Sequence, residues 1–304
     1  MPGPTRRRFL TIAAGLAATG LGPRRARAEL TCWRGVALGA EAQIILDHPD
    51  APAIIARARA EISRLEAVFS LFQGNSALSR LNATGHLDAP PFELLECLAL
   101  AGRVHAATGG LFDPTVQPLW DLYARRVTAG GFPAPDEIAT TLASVGWEGV
   151  RLDEAAVTLR PGMALTLNGV AQGFMADCVA ALLAAEGLEN LLVKTGEFRA
   201  LGPMPGGGAW PVRLTTGAGL PLAGGGLASS SALGTTFDEA GRIGHILDPR
   251  TGQPAPARWR LVTITAGKAA LADALSTAAC LMSDRAAIET TLSAFPDACL
   301  ASLS

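Results

Sequence analysis

The chain has 304 residues, of which 49% are apolar and 17% charged, with a formal net charge of −2. No apolar run after residue 30 reaches the roughly 18 residues that a membrane helix requires, so an integral membrane protein is excluded, as are collagen-like and disordered chains. The small negative charge also argues against nucleic acid as a partner.

Residues 1–28 have the features of an export signal. They contain six arginines and no acidic residue, and residues 5–10 (TRRRFL) are similar to a twin-arginine motif. A short, weakly apolar segment over 11–22 precedes Ala26-Arg27-Ala28, whose alanines fit the −3 and −1 positions of a cleavage site. We therefore predict a twin-arginine signal peptide over 1–28 and a periplasmic mature protein over 29–304. The alternative is a disordered basic tail.

The five cysteines are far apart in the sequence and form no CxxC pair, which argues against a zinc site. Because their number is odd, at least one thiol has no partner within the chain. Three of them, Cys97, Cys178 and Cys280, lie in apolar surroundings and are predicted to belong to the core. One disulfide is compatible with an oxidising compartment.

Hydrophobic periodicity and turn residues divide the mature chain into interleaved strands and helices. Helices are predicted over 51–72, 90–108, 135–146, 171–186 and 269–282, with a short turn or helix at 76–81 and one more helix near the C-terminus. Strands are predicted at 31–46 around a turn at Gly39, twice within 150–167, at 191–193, 210–214, 245–247 and 260–266, and at the C-terminus. Residues 111–116 are predicted to be irregular, and 202–208 and 223–226 to be flexible turns. Because the elements follow no regular βαβ period, we predict the α+β class.

A carboxylate and a hydroxyl share one helix face near the end of the chain. Asp273 and Thr277 are four residues apart in the sequence ADALSTA. Oxygen ligands of this kind suit a hard cation such as Mg²⁺. The alternative is a helix whose small residues only permit close packing, but a lone acid in an apolar segment is costly unless it is paired or binds a metal.

A glycine-containing turn precedes the helix predicted at 171–186. The segment LTLNGVAQGF at 165–174 predicts a strand, a tight turn at Asn168-Gly169 and a helix start. Free N–H groups at such a turn can bind a phosphate or pyrophosphate. The alternative is a glycine needed only for steric reasons, since both the Rossmann and the P-loop spacings are absent.

Two further segments combine turn residues with reactive side chains. GHILDPRTGQP at 244–254 contains His245 before an Asp-Pro turn, and GGLFDPT at 109–115 contains a proline bend that could direct Phe112 and Asp113 into a cleft. Each also has a structural interpretation, as a fixed turn and as a capped helix end. The chain contains no G-x-S-x-G or H-E-x-x-H motif, which argues against the corresponding hydrolases.

Taken in order, these segments resemble the ApbE family of periplasmic flavin transferases. The matching stretches are SALSRLN at 76–82, FDPTVQPL at 112–119, TLNGVAQGFMAD at 166–177, VKTGEFRALG at 193–202, HILDPRTGQP at 245–254 and ADALSTA at 272–278. The resemblance covers essentially the whole mature chain. It implies an α+β fold with mixed or antiparallel sheets, packed helices and two subdomains with an FAD cleft between them.

The resemblance also implies an activity and its partners. An enzyme of this family binds FAD and Mg²⁺, transfers FMN to a Ser or Thr hydroxyl of a partner protein through a phosphoester bond, and releases AMP. The acceptor is typically a membrane electron-transfer subunit that faces the periplasm, and the enzyme would associate with the membrane through it. Breaking a pyrophosphate bond requires charge neutralisation, which a divalent ion supplies.

Site residues follow from the resemblance position by position. The metal is expected at Asp273, Thr277 and the carbonyl oxygen of Gly169, and His245 is expected to activate the incoming hydroxyl. The residues expected to bind the flavin nucleotide are Phe72, Leu111, Phe112, Asp113, Thr166, Gln172 and Leu247.

Two departures from the family pattern bear on FAD affinity. Thr166 replaces the usual Asp, and Thr195 replaces the first glycine of a Gly-Gly pair. These changes leave open an FAD-binding or storage protein and a Mg²⁺-dependent FAD pyrophosphatase, in which water replaces the protein hydroxyl. An exported interaction protein without chemistry would leave Asp273, Thr277 and His245 unexplained.

Overall fold

The structure, a computed structural model, describes residues 30–304. The predicted signal peptide lies outside the described residues. The strands are β1 (Thr31–Ala37), β2 (Ala40–Leu46), β3 (His86–Asp88), β4 (Val150–Leu152), β5 (Ala156–Leu159), β6 (Leu191–Thr195), β7 (Phe198–Leu201), β8 (Trp210–Arg213), β9 (Gly219–Leu222), β10 (Gly225–Ser230), β11 (Val262–Ala266) and β12 (Cys299–Leu303). The helices are α1 (Ala51–Phe69), α2 (Ala77–Thr84), α3 (Phe92–Ala107), α4 (Gln117–Thr128), α5 (Pro135–Leu142), α6 (Ala171–Ala185), α7 (Ala269–Ala279) and α8 (Arg285–Leu292).

A seven-stranded antiparallel sheet organises the fold. Its strand order is β1-β2-β6-β7-β10-β11-β12, and every pairing in it is antiparallel. A three-stranded sheet (β3-β5-β4) and the β8-β9 hairpin are separate from it. The predicted α+β class is confirmed, with antiparallel pairing throughout the described part of the chain. No helix within residues 30–304 is long and apolar enough to cross a bilayer.

Alternating side chains of the large sheet supply two cores. Ile44 and Val193 face the main core, which contains the buried faces of α1, α3, α6 and α7, whereas their neighbours Ile45 and Leu192 face a smaller core around Trp210 of β8. The helices therefore cover one face of the sheet and the β8-β9 hairpin packs on the other.

Two glycines allow α7 to pack very closely against its neighbours. A Cβ atom at Gly173 of α6 would lie 2.4 Å from the carbonyl oxygen of Ala269, and one at Gly226 of β10 would lie 2.3 Å from the Cα atom of Ala269. Any side chain at either position would push the start of α7 away. This packing sets the position of Asp273, one turn further along the helix.

Several predicted elements differ from the observed ones. Residues 165–167 are not a strand, because their backbone is held by Pro114 and by the Asn82 side chain rather than by a sheet. Residues 245–247 are likewise irregular, with one isolated bridge from Leu247 to Pro254.

Other differences concern missed or misplaced elements. Helix α4 was not predicted, and β10 begins inside the stretch predicted to be a flexible turn over 223–226. Helix α1 ends at Phe69, so Phe72 lies beyond it rather than on its face. The five cysteines are all free, and Cys97 and Cys280 are buried as predicted, whereas Cys178 is half-buried.

Candidate functional site

A cavity of about 530 Å³ opens beside the first turn of α6. This volume lies in the range of cofactor-binding clefts, roughly 300–1,000 Å³. The residues predicted from the sequence all line it: Phe72, Leu111, Phe112, Asp113, Thr166, Gly169, Gln172, His245, Leu247, Asp273 and Thr277. The fold thus collects into one cavity residues that span 206 positions of the sequence, from 72 to 277.

The three predicted metal ligands are adjacent. Asp273 and Thr277 lie on successive turns of α7, and a Cβ atom at Gly169 would lie 3.0 Å from Thr277 Oγ1. Ser230 Oγ lies 3.4 Å from the same hydroxyl and 2.7 Å from Ser276 Oγ, so the Thr277 side chain has a neighbouring hydroxyl that can orient it.

The Asp273 carboxyl is buried without a positive partner. It is 4% exposed, its Oδ2 accepts a hydrogen bond of 3.2 Å from the Gly173 N–H, and no Lys, Arg or His of residues 30–304 forms an ion pair with it. Burial raises its pKa to about 7. A buried carboxyl in this state is costly unless a cation compensates it. The carboxylate, the Thr277 hydroxyl and the Gly169 carbonyl are hard oxygen donors, so the residues present fit Mg²⁺.

Asp177 fixes the start of the helix that carries Asp273. Its two carboxylate oxygens accept hydrogen bonds of 3.0 Å from the N–H groups of Ala269 and Ala270, the first residues of α7. Arg199 Nε lies 3.2 Å from Asp177 Oδ1. Asp177 thus connects α6 to α7 and satisfies N–H groups that the helix leaves unpaired.

His245 presents one ring nitrogen that can accept a proton. Its Nδ1 lies 2.9 Å from the carbonyl oxygen of Thr235, and because a carbonyl only accepts hydrogen bonds, Nδ1 carries the hydrogen. Burial lowers the pKa of the ring below its ordinary 6.5. Above that pKa the imidazole is neutral, its Nε2 is unprotonated, and the side chain lines the cavity.

The aromatic and apolar lining lies around the entrance and the wall formed by residues 111–113. Phe112 is buried, whereas Phe72 is 64% exposed at the rim. The Asp113 side chain serves the local structure, because its Oδ1 accepts hydrogen bonds from the N–H and the hydroxyl of Thr115. The Phe112 carbonyl accepts a hydrogen bond from His105 Nδ1 at 3.0 Å. Asp113 therefore holds the wall in shape.

The two substituted positions of the family pattern have different surroundings. Thr166 lines the cavity, whereas the Thr195 side chain is fully buried and its hydroxyl donates to the Gln172 carbonyl at 2.7 Å. Thr195 therefore does not enter the space that a ligand would occupy. The expected effect on FAD affinity is confined to Thr166.

Sequence reasoning missed four charged residues of the cavity wall, Glu41, Lys194, Glu197 and Arg260. Glu197 is 7% exposed, and Lys194 forms an ion pair of 2.7 Å with Glu41. Burial and the charge of Asp273 raise the pKa of Glu197 well above its ordinary value. The signal for Glu197 was available, since it is an acid between two strands inside the quoted segment VKTGEFRALG.

The cavity thus combines hard oxygen donors that fit a divalent ion with an imidazole that can accept a proton. Residues 38–298 match the model of the ApbE family, and the chain belongs to this family.

The relatives agree with this assignment. The FAD:protein FMN transferase of Haemophilus influenzae is 30% identical over 246 residues, which are 74% of this chain and 71% of that protein. The enzyme of the same name from Klebsiella pneumoniae is 28% identical over 268 residues, or 81% of this chain and 74% of that protein.

Solved structures share the fold. The apo form of the flavinyl transferase ApbE of Pseudomonas stutzeri aligns with a TM-score of 0.77 at 25% identity, over 88% of this chain and 89% of that one. The ApbE protein of Thermotoga maritima aligns with a TM-score of 0.75 at 26% identity, over 86% and 90% of the two chains.

Proposed function

We propose that the protein is a Mg²⁺-dependent FAD:protein FMN transferase, which moves FMN from FAD to a Ser or Thr hydroxyl of a partner protein and releases AMP. Family membership supports flavin transfer. The observation that carries the chemical details is the meeting of Asp273, Thr277, Gly169 and His245 in one cavity of about 530 Å³.

Asp273, Thr277 and the Gly169 carbonyl are the residues that would hold Mg²⁺. When bound, the ion supplies positive charge that neutralises the pyrophosphate during its cleavage. The start of α6, which lies just after Gly169 and includes Gln172, adds the positive end of a helix dipole to the same wall. Both features favour an anionic ligand at this end of the cavity.

His245 acts as the base. Its Nε2 accepts the proton of the acceptor hydroxyl while the hydroxyl oxygen attacks the phosphorus of the FMN half. The new P–O bond joins FMN to the partner, the bond from that phosphorus to the bridging oxygen breaks, and AMP leaves with the bridging oxygen. The Thr235 carbonyl keeps the hydrogen on Nδ1 and thereby keeps Nε2 available.

The remaining predicted residues bind FAD. Phe72, Leu111, Phe112 and Leu247 offer apolar surface to the flavin ring, whereas Thr166 and Gln172 offer hydrogen-bonding groups. Asp113 contributes through the shape of the wall.

The partner is a redox protein whose acceptor domain faces the periplasm, and it brings the enzyme to the membrane. The arginine-rich segment before Ala28 supports export by the twin-arginine route. Mass spectrometry of the protein from a periplasmic fraction tests this: a mature N-terminus at Glu29 is expected, and an intact N-terminus retained in the cytoplasm would refute it.

The transfer itself is tested with the mature protein, FAD, Mg²⁺ and the periplasmic domain of a flavoprotein subunit encoded beside this gene. In-gel flavin fluorescence of the acceptor together with AMP release is the expected result. Free FMN and AMP without labelled acceptor would identify a pyrophosphatase instead, and tightly held, unchanged FAD would identify a storage protein. Asp273→Asn should abolish labelling, whereas Asp121→Asn, which removes a half-buried acid on α4 outside the cavity lining, should not.

A further inference from the structure

Glu197 directs an unused carboxylate oxygen into the cavity. The residue lines the cavity and is 7% exposed. Its Oε2 accepts a hydrogen bond of 3.1 Å from the Ser229 N–H, and within residues 30–304 no donor is bonded to Oε1. Because no fully enclosed side-chain oxygen of the described residues lacks a hydrogen-bond partner, Oε1 is open to the cavity, where a bound ligand can donate to it.

The backbone places Glu197 close to Asp273. Gly196 has φ +97°, and a Cβ atom there would lie 2.4 Å from Gln172 Oε1, so the turn between β6 and β7 packs directly on the first turn of α6. The next residue of α6, Gly173, donates its N–H to Asp273. The two carboxyl groups therefore both lie next to the first turn of α6, and the charge of Asp273 is close enough to raise the pKa of Glu197.

No described basic residue compensates Glu197 at ion-pair distance. Lys194, two strand positions before Gly196, has its Nζ 2.7 Å from Glu41 Oε2. Burial raises the pKa of Glu197 and the Lys194 charge opposes this, but the ammonium group pairs with Glu41, and the other buried charge that acts on Glu197 is Asp273, whose own carboxyl requires a cation. Two acids at one cation site are favourable only if the ion or its ligands contact both.

The number of ligands at the proposed cation site explains why a second acid, Glu197, lies beside it. Mg²⁺ takes six oxygen ligands and keeps several waters, and Asp273, Thr277 and Gly169 supply three. Waters held by a cation are strong hydrogen-bond donors, and carboxylates next to the direct ligands commonly accept from them.

We propose that Glu197 is a positioning residue for the cation, whose Oε1 accepts hydrogen bonds from water molecules that Mg²⁺ retains when it is held by Asp273, Thr277 and the Gly169 carbonyl. The inference rests on the cation site of the proposed function. It gives Glu197 a role in metal affinity that does not depend on the presence of FAD or of an acceptor protein.

The test is a calorimetric titration of the metal-stripped mature protein with Mg²⁺ alone, which measures the affinity for the ion. Glu197→Leu, which has no acceptor, is expected to weaken Mg²⁺ binding 10- to 100-fold, the usual effect of removing a residue that supports metal ligands. Glu197→Gln keeps the length, one acceptor oxygen and the Ser229 hydrogen bond, and should weaken binding about tenfold. It decides the question if the leucine variant does not fold. Ca²⁺, which takes more oxygen ligands directly, should be affected less than Mg²⁺.

Two control variants separate the possible failures. Asp121→Asn should bind Mg²⁺ as the unmodified protein does. Asp273→Asn should lose binding, and if it does not, the cation site itself is refuted. If Asp273→Asn loses binding while both Glu197 variants retain it within twofold, only the role of Glu197 is refuted. A loss at Glu197→Gln as large as that of Asp273→Asn would also overturn the inference, because Glu197 would then be a direct ligand.

Discussion

Replacing Asp273 by Asn should make the metal-free protein more stable while removing its metal-dependent activity. Asn has nearly the same shape as Asp, and its side-chain oxygen can still accept the hydrogen bond from the Gly173 N–H. What disappears is a buried carboxyl for which the described chain provides no ion-pair partner. A buried acid of this kind favours the protonated form in the folded state, so its ionisation at neutral pH opposes folding.

The size of the effect follows from the pKa. Burial raises the pKa of Asp273 from 3.8 to about 7. Since the folded state holds this proton more tightly than the unfolded state, stability falls as pH rises through that interval. At about 1.4 kcal/mol per pKa unit, the ionised group costs about 4 kcal/mol at pH 8 and almost nothing at pH 4. Asn avoids this cost at every pH.

Urea denaturation of the two proteins in EDTA at several pH values measures the difference. The Asn variant should be more stable by up to about 4 kcal/mol at pH 8, and the gap should close towards pH 4. Saturating Mg²⁺ should stabilise the unmodified protein and leave the variant unchanged, because only a bound ligand shifts unfolding. A variant of equal or lower stability at pH 8 would refute the reasoning, since the charge of Asp273 would then be compensated within the folded chain.

Three other changes test the remaining parts of the site. His245→Ala should lower the rate of FMN transfer 10²- to 10⁴-fold, as expected for loss of a general base, while FAD binding measured by fluorescence quenching is retained. The transfer rate of the unmodified protein should fall as pH drops through the pKa of His245, which burial places below 6.5, and a pH–rate profile measures this. Asp177→Ala should destabilise the protein by about 3–5 kcal/mol in chemical denaturation, because Arg199 loses its ion-pair partner and keeps only the Gly267 carbonyl, while two N–H groups of α7 lose their acceptor. Gly173→Ala should weaken Mg²⁺ binding in calorimetry at least tenfold, because the added methyl group would displace the start of α7.

Each of these expectations has a contrary result. Equal loss of transfer and of FAD binding in His245→Ala would make His245 a binding residue. A transfer rate that did not fall at any pH below 6.5 at which the protein stays folded would exclude a titrating base. Unchanged stability in Asp177→Ala would show that water replaces the cap at no cost, and unchanged affinity in Gly173→Ala would show that α7 adapts to the methyl group.

The sequence predicted the site residues more accurately where those residues lie in regular secondary structure. Asp273 and Thr277 are four residues apart on a real helix, so helical spacing alone placed them together. His245 was assigned to a strand, yet it lies in an irregular segment whose hydrogen bonds go to Thr235, ten residues away. Such contacts follow from tertiary packing and leave no periodic trace in the sequence.

Tertiary packing also explains why the sequence did not predict strand β10 or the role of Glu197. The glycine-rich start of β10 has the composition of a turn, but it is a sheet strand because Gly226 lies beneath Ala269 of α7, where no side chain fits. Glu197 was not predicted as a site residue, because its proposed role depends on Asp273, which lies 76 positions later in the chain. The composition of a segment does not report such neighbours.

The proposed cation site joins Gly169 to a helix that begins 100 residues later, at Ala269, and that helix is held by Asp177. A nascent chain therefore lacks the complete ligand set until the ribosome has synthesised it past Thr277 and α7 has docked. Metal affinity should consequently appear only once the chain has been synthesised past Thr277 and α7 has docked. A chain released before that point would have almost no metal affinity.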